Sequence, residues 1–147
     1  MSSLRIAACP LLIEDGHLRV VLVTGRRHGE LLLPKGRPEP DMTRPQVAEM
    51  EAWEEAGIVG RAQPDPHCFT ISRHRGSERS VVAYLMEVQH MASDWPEAHQ
   101  RHRVIIPIDQ LQHHGLALPW RRCVLRLGHR FQSHLSGTHR WLHPQEA

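Results

Sequence analysis

Short runs of apolar and β-branched residues recur along the chain and are typical of strands. Seven runs are predicted as strands: Ile6–Ile13, Leu18–Thr24, Leu31–Leu33, Ile58–Ala62, Cys68–Ser72, Ser80–Val88 and Arg103–Ile108. Asp15-Gly16 lies between the first two runs and predicts a hairpin turn, since this pair suits the positive φ angles of such turns. Helical patterns follow the third and the seventh run. This order predicts an α/β fold in which helices cover a mixed sheet.

The residues after Thr43 predict a helix from about 43 to 56. Gln46 lies three residues after Thr43, which is the spacing of a capping box, and Pro45 is tolerated in the first helical turn. Gly57 is suited to end the helix because glycine adopts the left-handed conformation there at little cost. A stripe of small residues would let this helix pack closely on a sheet: Ala48, Ala52 and Ala56.

The length and composition of the chain indicate one domain. A chain of 147 residues suits a single core. We place the domain at residues 1–136, with a second helix at about 120–134 and a polar C-terminal tail at 137–147. No apolar run reaches the roughly 20 residues of a membrane span, and no signal peptide is predicted. The net charge of +2 gives no argument for nucleic acid. Three cysteines, far apart, favour the reducing cytoplasm.

Three glutamates gather on one side of the first predicted helix: Glu51, Glu54 and Glu55. Like charges three and four residues apart on a helix repel each other by about 0.2–0.5 kcal/mol per pair. These glutamates also lie in the last turns, where the helix dipole favours cations. Mg²⁺ prefers carboxylate oxygens and completes its shell with water and substrate phosphate. The pattern therefore predicts a divalent metal site, and the alternative is a solvated acidic helix face.

The segment ahead of this helix adds groups that suit a phosphate substrate. Lys35 offers a point charge to a phosphate, and the Gly36 carbonyl is a candidate metal ligand. Arg26 and Arg27 lie upstream and offer bidentate phosphate contacts. A metal would acidify a bound water, and a glutamate would take its proton. These groups together predict hydrolysis of a phosphoanhydride, whereas the alternative for the basic residues is an exposed, solvated loop.

The run from Gly36 through Glu51-Ala52-Trp53-Glu54-Glu55-Ala56-Gly57-Ile58 resembles the Nudix box, Gly-x5-Glu-x7-Arg-Glu-U-x-Glu-Glu-x-Gly-U, in which U is aliphatic. The resemblance covers about residues 4 to 130. Flanking segments are similar to the branch of diphosphoinositol-polyphosphate and diadenosine-polyphosphate hydrolases: Arg26-Arg27, Leu33-Pro34-Lys35-Gly36-Arg37, Asp94-Trp95-Pro96-Glu97 and Arg101-His102-Arg103.

The resemblance implies a Nudix-type α/β/α sandwich with a mixed central sheet. It also implies hydrolysis, dependent on Mg²⁺ or Mn²⁺, of a diphosphate bond in a small molecule of the nucleoside- or inositol-polyphosphate type. Exposed edge strands of such sandwiches often make dimers, so a homodimer is a further expectation.

Each matching position of the box has an implied role. Glu51 and Glu55 match metal ligands, and the Gly36 carbonyl matches a further ligand. Glu54 matches the general base and is also counted with the metal-binding glutamates. Glu51 and Glu54 are therefore the candidate catalytic residues. The candidate phosphate contacts are Arg26, Arg27, Lys35 and Arg79.

Two positions depart from the box: Met42 replaces its first glutamate and Met50 replaces its arginine. In the family this arginine is understood to pair with box carboxylates and to orient the catalytic ones. Exchanging a buried ion pair for packed apolar side chains is often neutral or stabilising by about 1–4 kcal/mol, so we interpret the two methionines as a coupled exchange. An active enzyme is favoured because the three helical glutamates remain. The alternative is a nucleotide- or polyphosphate-binding module with little or no turnover.

Other features change this picture little. The 13 histidines show no zinc-site spacing with cysteines or acids. Glu97 is a better candidate than Glu39 for assisting a further metal, since the related branch places an acidic Trp-containing loop near its site. Leu31 and Val104 stand where that branch often carries tryptophan, so stacking on a base is not assumed.

Overall fold

Eight strands and three helical segments build the part of the chain that the computed structural model describes, residues 3–26, 29–73 and 76–146. The strands are β1 (Ser3–Glu14), β2 (His17–Thr24), β3 (Leu31–Leu32), β4 (Lys35–Gly36), β5 (Ile58–Ala62), β6 (His67–Ser72), β7 (Glu78–Met91) and β8 (Arg103–Pro107). The helices are α1 (Arg44–Ala56), a 3-10 helix (Ile108–His114) and α2 (Leu118–Glu146).

The strands form one mixed sheet. β1 and β7 run parallel at its centre, with Ser3 opposite Arg79 and Leu11 opposite Glu87. The other pairings are antiparallel: β1 with β2 and β4, β2 with β3 and β8, and β7 with β5 and β6. The central path runs β3-β2-β1-β7-β5. The predicted mixed sheet is confirmed.

The two faces of the sheet are covered by different helices. Successive side chains of a strand point to opposite faces. Accordingly, Ile6 and Ala8 pack in one core cluster with the buried residues of α1. Ala7 and Cys9 belong to a second core cluster with the apolar face of α2. The sheet therefore lies between α1 and α2, and the predicted α/β/α sandwich is confirmed.

Helix α1 has the boundaries that its sequence predicts. The backbone N–H of Gln46 donates to Oγ1 of Thr43 at 3.3 Å, and the N–H of Thr43 donates to Oε1 of Gln46 at 2.8 Å. This reciprocal pair is the capping box. Gly57 ends the helix in the left-handed region, with φ of 68°. The three alanines of the stripe are buried against the sheet.

Helix α2 is longer than its sequence predicts. It begins at Leu118 rather than 120, and its backbone stays helical to Glu146 instead of ending near 134 in a frayed tail. The sequence does not force an end near 134, because a glycine such as Gly137 inside a helix costs only about 1 kcal/mol. In the described part of the chain, no helix is long and apolar enough to cross a membrane.

Candidate active site

The C-terminal half of α1 carries two glutamates to the short strand β4. The backbone N–H of Lys35 donates to Oε1 of Glu55 at 3.2 Å. Gly36, next in the strand, lies so close to Glu51 that a Cβ at this position would collide with the Glu51 carboxylate. Glycine is therefore needed here because a side chain approaches the backbone closely. The structure thus brings together Gly36, Glu51 and Glu55.

Glu51 and Glu55 lie one helical turn apart and form a carboxyl pair. Only 5% of Glu55 is exposed, and it is the one charged residue in the buried class among the described residues. Burial raises the pKa of Glu55 to about 8, although Arg101 acts in the opposite direction. Burial also raises the pKa of Glu51, with further contributions from the charges of Glu54 and Glu97. Because the two carboxyl groups adjoin, each affects the ionisation of the other.

This pair has the donor chemistry of a divalent-metal site. Burial favours the neutral form of both carboxyl groups, and a bound cation would favour the ionised form, since carboxylate ligands bind metal in the ionised form. In the described ranges, no three His, Cys, Asp or Glu side chains are grouped to hold a metal ion. Mg²⁺ usually needs only one or two protein carboxylates, with waters and substrate phosphates completing its shell. Glu51 and Glu55 meet that requirement.

The loop after β7 is fastened to the C-terminal end of α1. The last carbonyls of a helix have no partner within the helix. Here the indole nitrogen of Trp95 donates to the Glu55 carbonyl at 3.0 Å, and the N–H of Glu97 donates to the Glu54 carbonyl at 3.0 Å. Arg103 completes the set, with Nη1 at 2.9 Å from the Ala56 carbonyl. Its positive charge also suits this end of the helix dipole.

The same loop places Arg101 beside the carboxyl pair. Its Nε lies 2.7 Å from Oε1 of Glu97, and its Nη2 lies 3.6 Å from Oε2 of Glu55. Its Nη1 donates to the Thr24 carbonyl at 3.2 Å. Only 10% of the side chain is exposed. Arg101 belongs to a segment that resembles the related branch, but the sequence indicates no role for it because Thr24 and Glu55 are far away along the chain.

The predicted phosphate contacts fall into separate places. Lys35 is half-buried in β4, and its pKa is lowered by burial and by neighbouring Arg79. Arg26 is exposed, with Nη1 3.5 Å from Oε1 of Gln100. Arg27 lies outside the described residues, so its predicted contact stays a prediction. The structure therefore places Lys35 and Arg79 near one another, with Arg26 in a different segment.

Lys35 and Arg79 have further arginines near them, which were not predicted as phosphate contacts. Nη1 of Arg5 and Nε of Arg79 both donate to the Ser3 hydroxyl, each at 3.3 Å. Burial lowers the pKa of Arg5 and of Arg79, and nearby guanidinium groups lower both further. The arginine cluster is Arg5, Arg37, Arg73 and Arg79. The local sequence gives no signal for it because the pairing of β1 with β7 brings residues from distant segments together.

The two methionines that depart from the box share one environment. Met42 and Met50 are both partly buried, and both pack against the core cluster between α1 and the sheet. Neither position therefore offers a solvated site for a charge. The coupling of the two exchanges stays a prediction.

Comparison with known proteins adds sequence relatives. No family model matches the chain. It is similar to "Nudix hydrolase 13, mitochondrial" of Arabidopsis thaliana, at 30% identity over 101 residues that cover 60% of this chain and 49% of the relative. The chain spans about half the length of the curated relatives it matches.

Solved structures add the fold. The Ap4A hydrolase of C. elegans matches 90% of this chain and 99% of its own, with a TM-score of 0.70 and 18% identity. The NUDIX domain of Shewanella oneidensis NrtR, solved with ADP ribose, matches 89% of each chain with a TM-score of 0.69 and 20% identity. The sandwich is thus the Nudix fold, and the sequence relatives carry the same family name. The chain has the Nudix fold, and over about three fifths of its length its sequence is similar to those of Nudix hydrolases.

Proposed function

We propose that this chain hydrolyses a diphosphate bond in a small, phosphate-rich nucleoside or inositol compound, with Mg²⁺ or Mn²⁺ as its cofactor. The observation that carries the proposal is the carboxyl pair of buried Glu55 and half-buried Glu51, which lies against the backbone of Lys35 and Gly36. Two neighbouring acids without a cation destabilise a fold, and a metal relieves this cost. Glu51, Glu55 and the Gly36 carbonyl would hold the metal, which when bound polarises the phosphate and acidifies a water.

Glu54 is the proposed general base. It follows Glu51 by three residues on α1 and is half-buried, and its charge contributes to the raised pKa of Glu51. Among the described residues, its side chain forms no hydrogen bond or ion pair, while its backbone carbonyl is bound by the N–H of Glu97. A carboxylate that is fixed through its backbone but free at its oxygens can accept the proton of an attacking water. Glu54 can still act as a metal ligand in some steps.

The arginine cluster supports a substrate with several phosphates. Within the described ranges, none of its four members forms an ion pair with an acid. Guanidinium groups held near one another without a counter-charge repel, and a bound anion compensates them. Phosphate oxygens suit the planar fork of arginine donors. With Lys35 between this cluster and Glu55, phosphate groups would extend from the cleaved bond towards Arg5 and Arg79.

Aliphatic residues stand at two positions where the related branch often carries tryptophan. Leu31 and Val104 lie on the two strands that flank β2, and both pack against the core cluster on the α2 side. Neither offers an aromatic ring to a base. Charge recognition at the phosphates would therefore dominate over recognition of a base. This balance favours a substrate that is recognised mainly through its phosphate groups.

The alternative function is a binding module with little turnover. The specific observation in its favour is the apolar packing of Met42 and Met50, which removes two charged positions of the box. A binding module would keep the arginine cluster and the carboxyl pair but would not position the attacking water. Measured turnover separates the two functions.

The test uses purified protein with Mg²⁺ or Mn²⁺ and a panel of diadenosine polyphosphates, inositol pyrophosphates and ADP-ribose. We expect the wild-type protein to hydrolyse at least one of these compounds. Glu54→Gln should reduce this turnover by about 10²–10⁴-fold, the range for removal of a general base. Glu49→Gln is the matched control, because Glu49 lies on the same helix and accepts from the Ala62 N–H at 2.9 Å, a bond that glutamine can keep. Full activity in Glu54→Gln would refute the assigned base.

Absence of turnover with ligand-dependent thermal stabilisation would favour the binding module. To test the cluster, Arg79→Ala should raise KM more for substrates with five or more phosphates than for ADP-ribose. The control is Arg126→Ala, an exposed residue of α2 outside the arginine cluster. Equal effects on all substrates would refute the extended phosphate subsite.

The proposed compartment is a reducing one. Cys9, Cys68 and Cys123 are free thiols, and free thiols are typical of reducing compartments. The cytoplasm is our proposal, although relatives named as mitochondrial show that the family is not confined there. A homodimer also stays a proposal, and sedimentation velocity would test it.

A further inference from the structure

We propose that Arg101 is a positioning residue that supplies, from a different segment of the chain, the guanidinium group missing at Met50. The proposal rests on the proposed function, because it concerns the glutamates assigned there to metal binding and catalysis. The box resemblance implies an arginine within α1 at position 50, and the structure has an apolar, partly buried methionine there. Arg101 is the guanidinium group that contacts Glu55 among the described residues.

The contacts of Arg101 occupy all three of its nitrogens. Nε binds Glu97, Nη1 binds the Thr24 carbonyl and Nη2 faces Glu55. The fork of a guanidinium group has a fixed geometry, so two fixed contacts define where the third nitrogen points. Since the side chain is nearly buried, little of it is left to bind a substrate phosphate. This arrangement orients a carboxylate and does not present a cation to the ligand.

The backbone on both sides of Arg101 is anchored. Its own N–H donates to the Glu97 carbonyl at 3.2 Å. The next residue, His102, exchanges bonds with Thr24: its N–H donates to Oγ1 at 2.9 Å, and its carbonyl accepts from the Thr24 N–H at 3.0 Å. The guanidinium position is thus set by β2 on one side and by the loop held at the end of α1 on the other. A rigid support of this kind is what positions a ligand carboxylate.

The contacts with Glu97 and Glu55 differ in length. The Glu97 pair, at 2.7 Å, is a close charge-assisted hydrogen bond, whereas the Glu55 pair, at 3.6 Å, is a looser ion pair. Glu97 therefore holds Arg101 in place. Glu55 is oriented at Oε1 by the Lys35 N–H and at Oε2 by the charge of Arg101, without a close hydrogen bond from Arg101. This is the behaviour required of a carboxylate that is oriented before it binds a metal.

The test compares Arg101→Ala and Arg101→Lys with the wild-type protein in two measurements. The first is Mn²⁺ binding by electron paramagnetic resonance without substrate, and the second is kcat and KM for a substrate found in the panel. Loss of a residue that supports metal ligands typically costs about 10- to 100-fold in metal affinity or activity. We expect losses in this range for Mn²⁺ affinity and kcat in Arg101→Ala, with KM changed less than about threefold. Arg126→Ala, on the opposite face of the sheet, should change neither.

Arg101→Lys keeps the charge without the fork, so it should recover only part of the loss. If Arg101→Ala fails to fold, the same two measurements on Arg101→Lys test the proposal. Met50→Arg should raise kcat in the Arg101→Ala background by more than it does in the wild type, because only there is the guanidinium group missing. Equal effects of Met50→Arg on kcat in both backgrounds would overturn the proposal that Arg101 takes the place of the box arginine.

The outcomes separate this proposal from the proposed function. Unchanged Mn²⁺ affinity and kcat in both Arg101 variants would overturn the positioning role, and a change in KM alone would assign Arg101 to substrate binding instead. Protein that hydrolyses nothing but binds Mn²⁺ in an Arg101-dependent way would refute hydrolysis and uphold positioning. Protein that hydrolyses its substrate without dependence on Arg101 would uphold hydrolysis and refute the positioning role. Protein that binds no Mn²⁺ and shows no turnover would refute both.

Discussion

The indole nitrogen of Trp95 donates a hydrogen bond to the backbone carbonyl of Glu55 across 3.0 Å. This bond joins the residue with the most buried carboxyl group of the site to the loop that carries Glu97 and Arg101. The Trp95 ring also lies against Gly57, where a Cβ would come within 2.8 Å of it, and under the guanidinium group of Arg103 at 4.3 Å. The helix end and the loop therefore behave as one unit, because each satisfies polar groups that the other leaves open.

Trp95→Phe is predicted to weaken both stability and catalysis. Phenylalanine keeps most of the ring packing but leaves the Glu55 carbonyl without its donor, which costs about 1–3 kcal/mol for a buried group. Urea unfolding should show this loss, and kcat should fall because the loop that holds Arg101 becomes less fixed. Trp53→Phe is the control: Trp53 lies on the same helix but is 38% exposed, so its free energy of unfolding should change by less than about 0.5 kcal/mol. Equal stability of the two variants would contradict the coupling between the end of α1 and the loop that carries Trp95.

Gly36→Ala is predicted to damage the site more than the fold. The new Cβ would collide with the Glu51 carboxylate, which is the flexible end of a side chain and can swing away. We expect the free energy of unfolding to change by less than about 1 kcal/mol, while kcat falls by at least about tenfold because Glu51 leaves its place. Gly25→Ala is a matched control, since its Cβ would displace the Glu30 carboxylate in the same way, in a loop away from α1. Similar losses of kcat in both variants would refute the specific role of Gly36.

Local signals explain which parts of the structure could be predicted. The start and end of α1 depend on Thr43, Gln46 and Gly57, whose neighbours in sequence are also their neighbours in space, and the structure confirms them. The role of Arg101 depends on Thr24, 77 residues away, and on Glu55. No periodic pattern records such a contact, because the fold brings the partners together only after the sheet has formed.

The arginine cluster illustrates the same limit. Arg5 and Arg79 lie on β1 and β7, and they meet at Ser3 because Ser3 stands opposite Arg79 in the parallel register. Parallel pairing of distant strands is set by crossover connections and not by the strand sequences alone. Only Arg79 could therefore be identified from sequence, through the family resemblance, while Arg5, Arg37 and Arg73 required the sheet.

The metal-free protein is predicted to lose stability as the pH rises from about 5 to 8. Burial raises the pKa of Glu55 to about 8, above the ordinary value of 4.5, so the folded state binds a proton that the unfolded state has released. The stability contribution is fully present below the ordinary value and is lost as the pH rises through about 8. The expected decrease is on the order of a few kcal/mol, measured by urea unfolding with a chelator present.

Glu55→Gln separates this effect from the ionisation of all other groups. Glutamine cannot ionise, so the variant should show a flatter pH profile and greater stability at pH 8 than the wild type. Added Mn²⁺ should stabilise the wild type increasingly as the pH rises, because the metal binds the ionised carboxylates. Parallel pH profiles for the variant and the wild type would refute the raised pKa.

Restoring the two box charges tests whether the methionines are a coupled exchange. Met42→Glu and Met50→Arg each place one charge in the partly buried environment between α1 and the sheet. Each single variant should lose about 1–3 kcal/mol of stability, because a desolvated charge lacks a partner. The double variant should lose less than the sum by at least about 1 kcal/mol if the two side chains can pair, as measured by a double-mutant cycle. Additive losses would show that positions 42 and 50 do not meet, and harmless single changes would show that neither site excludes a charge. In either case Met42 and Met50 would be independent substitutions, and the guanidinium contact of Arg101 with Glu55 would have to be explained without reference to a lost pair.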